Sequence, residues 1–289
     1  MTFTPQPLPP HLSESPKLGS EVSLTGKWIP KRQKRLFGSS PDSVPMRQAL
    51  NELKNIGQSN QSVLTFELND VVGADAVLLH IVFEDGKALV DFFGNAGAKQ
   101  FATLNNVAVP DLHLLRGISV PDESTKQLES ISIPVASGDF LFGYVKHDSR
   151  LPDLTSAIDV TAKWTCKPSS PSSQEELKHW WQQVGTDAFE MEKGLVRFEA
   201  FQVKNEDALI IHETFEDTSE LKFHLTKGTA HKYKKSIDQI AVPERYMFRG
   251  PVSWLIRTYS KFMRLPATYS TRSSRYSKPG GNMSEGIAE

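Results

Sequence analysis

The second half of the sequence holds a carboxylate and an imidazole whose pattern lets them meet. Glu213 alternates with Ile211 and Phe215 in a β-rich run, so it shares their sheet face. On a buried face a lone carboxylate is costly unless it is paired. His224 stands beside Leu221 and Leu225 on the apolar side of a helical stretch, within reach of such a carboxylate. A Glu–His pair fixes the imidazole in one tautomer and orients it, which is what a general base needs. The same pair also suits a plainer job, bracing a helix to a sheet. His231 follows His224 by about two helical turns. Trp164 lies on an earlier strand, and Arg245 and Tyr246 lie on the last one, where their donors could reach a phenolic or quinone oxygen. These four are candidate substrate-binding residues. Trp180 and Trp181 match the apolar stripe of a helix and read as core.

The elements that must position these groups are legible. Residues 157–166 are β-rich, with Val160, Ala162 and Trp164 on one side. A helix follows from a serine-capped start near 172–173, carrying Leu177, Trp180, Trp181, Val184 and Ala188 at helical spacing, with Gly194 as its stop. LVRFEAFQV (195–203) and ALIIHETF (208–215) form a hairpin around KNED. Asp217 caps the next helix, and 242–248 form a last strand with Pro243 near its start. The order is β-α-β-β-α-β.

The first half repeats that order. DAVLLHIVFED (75–85) matches DALIIHETFED (207–217) at an offset of 132 (207 − 75), and VAVPDLHLLRG (107–117) matches IAVPERYMFRG (240–250). LTGKW (24–28) matches VTAKW (160–164). A strand at 21–29, a helix from Ser43 to Gly57, a hairpin at 62–83, a helix from Asp85 and a strand at 109–115 follow from this. Features present in both copies read as scaffold: His80 and His212, Asp85 and Asp217, Arg116 and Arg249. A β-α-β-β-α-β unit puts both helices on one face of a four-stranded sheet and leaves the other face bare. Two bare faces packed together bury each other. The expected fold class is therefore α+β, two ferredoxin-like repeats closing on one another within one chain, with helices outside and room for cavities between sheet and helix. The expected divisions are a disordered arm (1–20), a degenerate repeat (21–119), a connecting hairpin and linker (120–156), a second repeat (157–256) and a mostly disordered tail (257–289). The connecting hairpin is expected to turn at Ser137–Gly138.

HETFEDTSELKFHL (212–225) resembles the Glu-x-Trp/Phe-x-Asp-…-Leu-x-x-His signature of the antibiotic biosynthesis monooxygenase-like family of dimeric α+β barrels. Glu213, Phe215, Asp217, Leu221 and His224 fall on that pattern. EKGLVRFEAFQ (192–202) resembles the family's Glu-x-Gly-x-x-x-Phe-Glu strand, with Glu192, Gly194, Phe198 and Glu199 in place. The first copy departs from it, with Ile81 at the strand Glu and Phe92 at the helix His. The resemblance implies a dimeric α+β barrel and activities that include cofactor-independent oxygenation of anthrone- or quinol-type aromatics, haem degradation, and roles without catalysis. It thus implies a small aromatic partner, in secondary metabolism. Rival expectations are a noncatalytic ligand-binding or stress-related barrel, and a decarboxylase or cyclase.

Composition narrows the classes. Lys plus Arg is 33 and Asp plus Glu is 34, a net charge of −1, which gives no field to hold nucleic acid or an acidic membrane. The basic run within 27–37 resembles a short nuclear localisation signal but also suits a loop after the first strand. Cys166 is the only cysteine, so no disulfide framework within the chain is possible. No metal-ligand spacing or nucleotide-binding motif is present, so neither metal nor cofactor is expected. With no signal-like or spanning segment, a cytoplasmic protein is expected, either a monomer by internal duplication or a homodimer.

Overall fold

A computed structural model describes residues 21–31, 43–117, 126, 129, 135–145, 156–168, 173–251, 254–262 and 267–277. The chain is α+β, built on one closed ten-stranded mixed barrel. The first half contributes β1 (Val22–Pro30), α1 (Val44–Ser59), β2 (Val63–Val71), β3 (Val77–Phe83), α2 (Gly86–Asp91), a π-helical turn (Phe92–Ala96), α3 (Ala98–Val107) and β4 (Ala108–Gly117). After β5 (Val135–Val145), the second half contributes β6 (Ile158–Cys166), α4 (Ser173–Met191), β7 (Leu195–Val203), β8 (Ala208–Phe215), α5 (Thr218–Thr226), α6 (Thr229–Ile240) and β9 (Ala241–Arg249). Helix α7 (Trp254–Phe262) and β10 (Ala267–Ser277) follow.

The barrel order is β1-β3-β2-β10-β9-β6-β8-β7-β5-β4, with β4 closing on β1. Each half supplies an antiparallel group of the same order, β4-β1-β3-β2 and β9-β6-β8-β7. The groups are joined by extra strands rather than stacked as separate sheets. β5 runs parallel to β4 and antiparallel to β7, while β10 runs parallel to β9 and antiparallel to β2. A closed barrel leaves no strand edge unpaired.

Two expectations need correction here. Ser137 and Gly138 are not a turn but lie inside the continuous strand β5, where Gly138 pairs with Val203. A side chain at 138 would come within 2.8 Å of Phe201 Cβ, so the glycine serves close strand approach. The segment after 256, expected to be mostly a disordered tail, carries the rest of α7 and all of β10. Its sequence ATYSTRSSRYS hides a strand because backbone pairing to β2 and β9 places it there, not apolar alternation. The basic run after Lys31 and the arm 1–20 lie outside the described residues.

Alternation along the strands sorts two environments. Leu78, Leu114, Ala136, Phe201, Ile210 and Met247 point into the lumen. Leu24, Trp28, Leu79, Ile81 and Phe83 face the first half's helices, and Val160, Trp164, Ile211 and Phe215 face those of the second. The lumen also carries the polar residues shared by the halves. Thr25 meets His80 at 2.7 Å and Thr161 meets His212 at 3.0 Å. Arg249 reaches across to Glu67 at 2.9 Å and also meets Asp159 at 3.1 Å, while Arg116 meets Glu199 at 3.7 Å. No described helix is long and apolar enough to cross a membrane.

Candidate active site

Asp217 caps α5 by accepting hydrogen bonds from the backbone N–H groups of Ser219 and Glu220. That cap fixes the first turn and aims Leu221 and His224 at the outer face of the sheet. Glu213 on β8 pairs with Val160 on β6 and points to the same layer. The two residues meet: His224 Nε2 lies 3.2 Å from Glu213 Oε1. The contact is an ion pair rather than an aligned hydrogen bond, because Glu213 Oε1 has no hydrogen-bond partner.

The other ring nitrogen is held more firmly. His224 Nδ1 lies 2.7 Å from Glu192 Oε2. Glu192 Oε1 accepts two more bonds at the start of α6, from the Thr229 N–H and the Thr229 hydroxyl, each at 2.7 Å. Gly228 makes this approach possible, since a Cβ there would come within 2.4 Å of Glu192 Oε1. Glu192, Glu213 and His224 are 2%, 7% and 1% exposed, so the trio sits in a dry layer.

Two carboxylates around one imidazole decide its charge. Burial alone lowers the pKa of His224, but the Glu213 charge, the Glu192 hydrogen bond and the remaining attraction of both outweigh it and push it up to about 10. Burial raises that of Glu192, yet His224 and the two Thr229 donors pull it below the ordinary carboxylate range. His224 is therefore an imidazolium at neutral pH. The sequence suggests His224 as the base with Glu213 orienting it. The electrostatics reverse that assignment: the group left able to accept a proton is a carboxylate.

A pocket opens beside the trio between sheet and helices, with ≈ 680 Å³ of empty space including its mouth. Val160, Ala162 and Ile211 floor it, Leu221, Leu225, Ala230 and Ile237 cover it, and Glu213 and His224 form a polar patch. Trp164, Trp181 and Tyr246 supply aromatic wall. The Trp164 ring is 5.2 Å from Trp181 and 5.9 Å from Tyr246, edge to face in both cases. Lys234 also lines the pocket and is ion-paired with Asp238.

Of the residues singled out from sequence, Glu213, His224, Trp164 and Tyr246 thus converge on one pocket. His231 does not join them. It is exposed on α6, which starts afresh after the break at Gly228 instead of continuing α5. Arg245 pairs with Lys163 in the β9–β6 ladder, and its side chain lies outside the described residues. Sequence reasoning missed Trp181 and Lys234 as wall and Glu192 as the anchor of His224. For Glu192 the only signal was its place in the Glu-x-Gly motif. The helical stripe that marks Trp181 as buried does not separate core from pocket wall.

No protein-family model matches the sequence, and no curated protein matches it. Solved structures do. An anthrone oxidase-like protein aligns over 92% of this chain and 96% of its own at 7% identity, with a TM-score of 0.52. A proposed monooxygenase of Fusobacterium nucleatum covers 78% of this chain and 90% of its own at 14% identity and a TM-score of 0.49. A proposed monooxygenase of Lactobacillus acidophilus covers 79% and 91% at 9% identity and a TM-score of 0.45. The first of these likenesses defines the class of fold, an α+β barrel spanning nearly the whole chain. At such identity it leaves chemistry to be argued from the site.

Proposed function

We propose that the protein is a cofactor-independent monooxygenase acting on an aromatic, anthrone- or quinol-type substrate of secondary metabolism. On this reading the halves are a tandem duplication standing in for two subunits, and the closed barrel works as a monomer. The observation that carries it is the aromatic-walled pocket with a carboxylate–imidazolium pair in its wall. Oxygenation without a cofactor needs a substrate that supplies electrons as an anion, so the protein must remove a proton in a dry place and stabilise the charge left behind. Glu213 takes the proton from the acidic C–H or O–H. His224 stays protonated and offsets the negative charge. The substrate anion then reduces dioxygen, and for an anthrone the balance is one CH₂ and one O₂ giving one C=O and one water.

The test is oxygen uptake with anthrone, with chelator present and no flavin. Uptake above the uncatalysed rate, in equal amount to anthraquinone formed and lost in Glu213→Gln, is the expected result. No uptake across a panel of anthrones and quinols rejects the reading. The rival role as a brace draws on a specific observation, the three hydrogen bonds by which Glu192 ties α5 and α6 together. That arm of the trio positions the site rather than reacting in it.

A further inference from the structure

The mouth of the pocket carries a charge that the proton transfer does not use. The residues lining the pocket are buried except Leu225, Ala230 and Lys234, which are half-buried and so place the mouth beside the end of α5 and the first turns of α6. Helix α6 turns Ala230, Lys234 and Ile237 to the pocket, an apolar stripe interrupted by one lysine. Its side chain is 34% exposed, and its partner among the described residues is Asp238, one turn further along α6 and outside the pocket lining. A half-exposed ion pair of this kind is weak, and an ammonium has three donors on a flexible stem, so Lys234 can turn a donor to a ligand while keeping Asp238. Its surroundings add to the charge. Residues 221–235, which cover the pocket, hold five lysines and no acidic residue, in a chain whose net charge is −1. Lys232 pairs with Asp187, whereas Lys222, Lys227 and Lys235 are exposed. The buried polar patch has the opposite sign, because Glu192 and Glu213 set two carboxylates against the single imidazolium of His224. An anionic group is thus attracted to the mouth and repelled from the patch.

We propose that Lys234 is a specificity-determining residue that holds a carboxylate on the substrate, so that the pocket takes aromatic acids in preference to neutral aromatics. This rests on the reading of Glu213 as the base and adds the substituent that the substrate carries. With the carboxylate on Lys234, the rings lie over Val160 and Ala162, and an edge away from the carboxylate faces Glu213. The reverse orientation presses the carboxylate against Glu213 and is disfavoured by like charge. One cation at the mouth thereby settles which edge of the ring system gives up its proton. Lys234 takes no part in that transfer; its role is recognition.

The test uses two probes of one shape, 2-naphthoate and 2-naphthamide, which differ in charge. Binding to the full chain is measured by titration calorimetry at low salt. The wild type should bind the acid about tenfold more tightly than the amide, the scale of one charge-assisted hydrogen bond at a half-exposed site. Lys234→Met keeps the stem and should abolish that preference, and Lys234→Arg should retain it. Lys235→Met is the control, an exposed lysine of the same helix that does not line the pocket, and most of the preference should survive it. Should Lys234→Met fail to fold, Asp238→Asn decides: it frees the ammonium from its competitor and should raise the preference several-fold. Equal binding of the probes to the wild type, a preference that survives Lys234→Met, equal losses in Lys234→Met and Lys235→Met, or no gain in Asp238→Asn overturns the assignment and leaves Glu213 as base intact. Binding of neither probe overturns the assignment and the aromatic-pocket reading together.

Discussion

The two halves place side chains at matching points of one framework and reach opposite results. Phe83 packs on Phe92 at 5.5 Å in the first half, and Phe215 packs on His224 at 5.0 Å in the second. Leu24 pairs with Ile81 where Val160 pairs with Glu213. Asp85 and Asp217 cap the helices that deliver Phe92 and His224. From Phe92 the first half continues with Phe93 and Phe101, in ring contacts of 5.2 and 4.6 Å, and its own hollow, beside Phe93, Phe101 and Asn105, holds no Glu–His pair among the described residues. The second half replaces this aromatic plug with an imidazolium, two carboxylates and a hollow. A packed layer maximises dispersion and apolar burial, whereas a pocket forgoes both for chemistry. On the proposed function, one half stabilises the barrel and the other carries the site.

The largest effect expected from breaking this contrast is on turnover. Glu213→Gln keeps the shape and removes the proton acceptor, and a positioned base contributes about 10² to 10⁴ in rate. Oxygen uptake with anthrone should fall by that factor while thermal unfolding changes little. Ile81→Gln in the first half has no such effect on rate and costs stability, since it buries an amide in an apolar layer.

The next effect tests whether the second half can be turned into a copy of the first. His224→Phe alone leaves two buried carboxylates without their cation and should cost about 3–5 kcal/mol, as broken buried ion pairs do. Glu213→Ile with His224→Phe installs the first half's pair, and replacing a buried ion pair by apolar groups is often neutral or stabilising. Glu192 keeps its bonds to Thr229 in both variants. Urea unfolding should therefore show the double variant to be more stable than the single one, with ligand binding lost. A double variant as unstable as the single would mean the layer depends on the trio itself.

The contrast between halves was partly written in the sequence. The strands 195–203 and 208–215 agree with the expected bounds, and the substitutions Ile81/Glu213 and Phe92/His224 followed from aligning the repeat. Glu192 was visible in a motif, but its partners come from a helix face and a helix start that only the fold brings together. The charge on His224 was illegible for the same reason, because it depends on carboxylates from two other segments. β10 was missed because its place is set by backbone pairing, which leaves no apolar period to read.

The pH dependence follows from the imidazolium. His224 has a folded pKa of about 10 against an ordinary 6.5. A raised value gives stability that is fully present below the unfolded pKa and is lost as pH rises through the folded one. The wild type should thus lose about 2 kcal/mol or more between pH 6.5 and 9.5 relative to the double variant, read as the gap between their urea midpoints. Glu192 works in the opposite sense, its contribution falling away as pH drops through its lowered folded pKa, so it does not enter this window. A gap that stays constant would show that His224 is neutral in the folded chain.

The smallest expected effect concerns what the halves share. Asp85 accepts from the Ala88 N–H at 2.7 Å, and Asp217 accepts from Ser219 and Glu220 at 2.7 and 3.0 Å. Burial is slight at Asp217, and its Ser219 and Glu220 donors pull its pKa below the ordinary carboxylate range. Each cap satisfies N–H groups that the helix itself leaves open, and each replacement by alanine should cost about 1 kcal/mol. Scaffold predicts equal costs in the two halves. The site adds one difference: Asp217→Ala frays the turn that aims His224, so it should weaken anthrone binding several-fold, whereas Asp85→Ala should leave binding unchanged. Equal effects on binding from both caps would mean that the first half shapes the pocket after all, and the division of labour between plug and hollow would have to be given up.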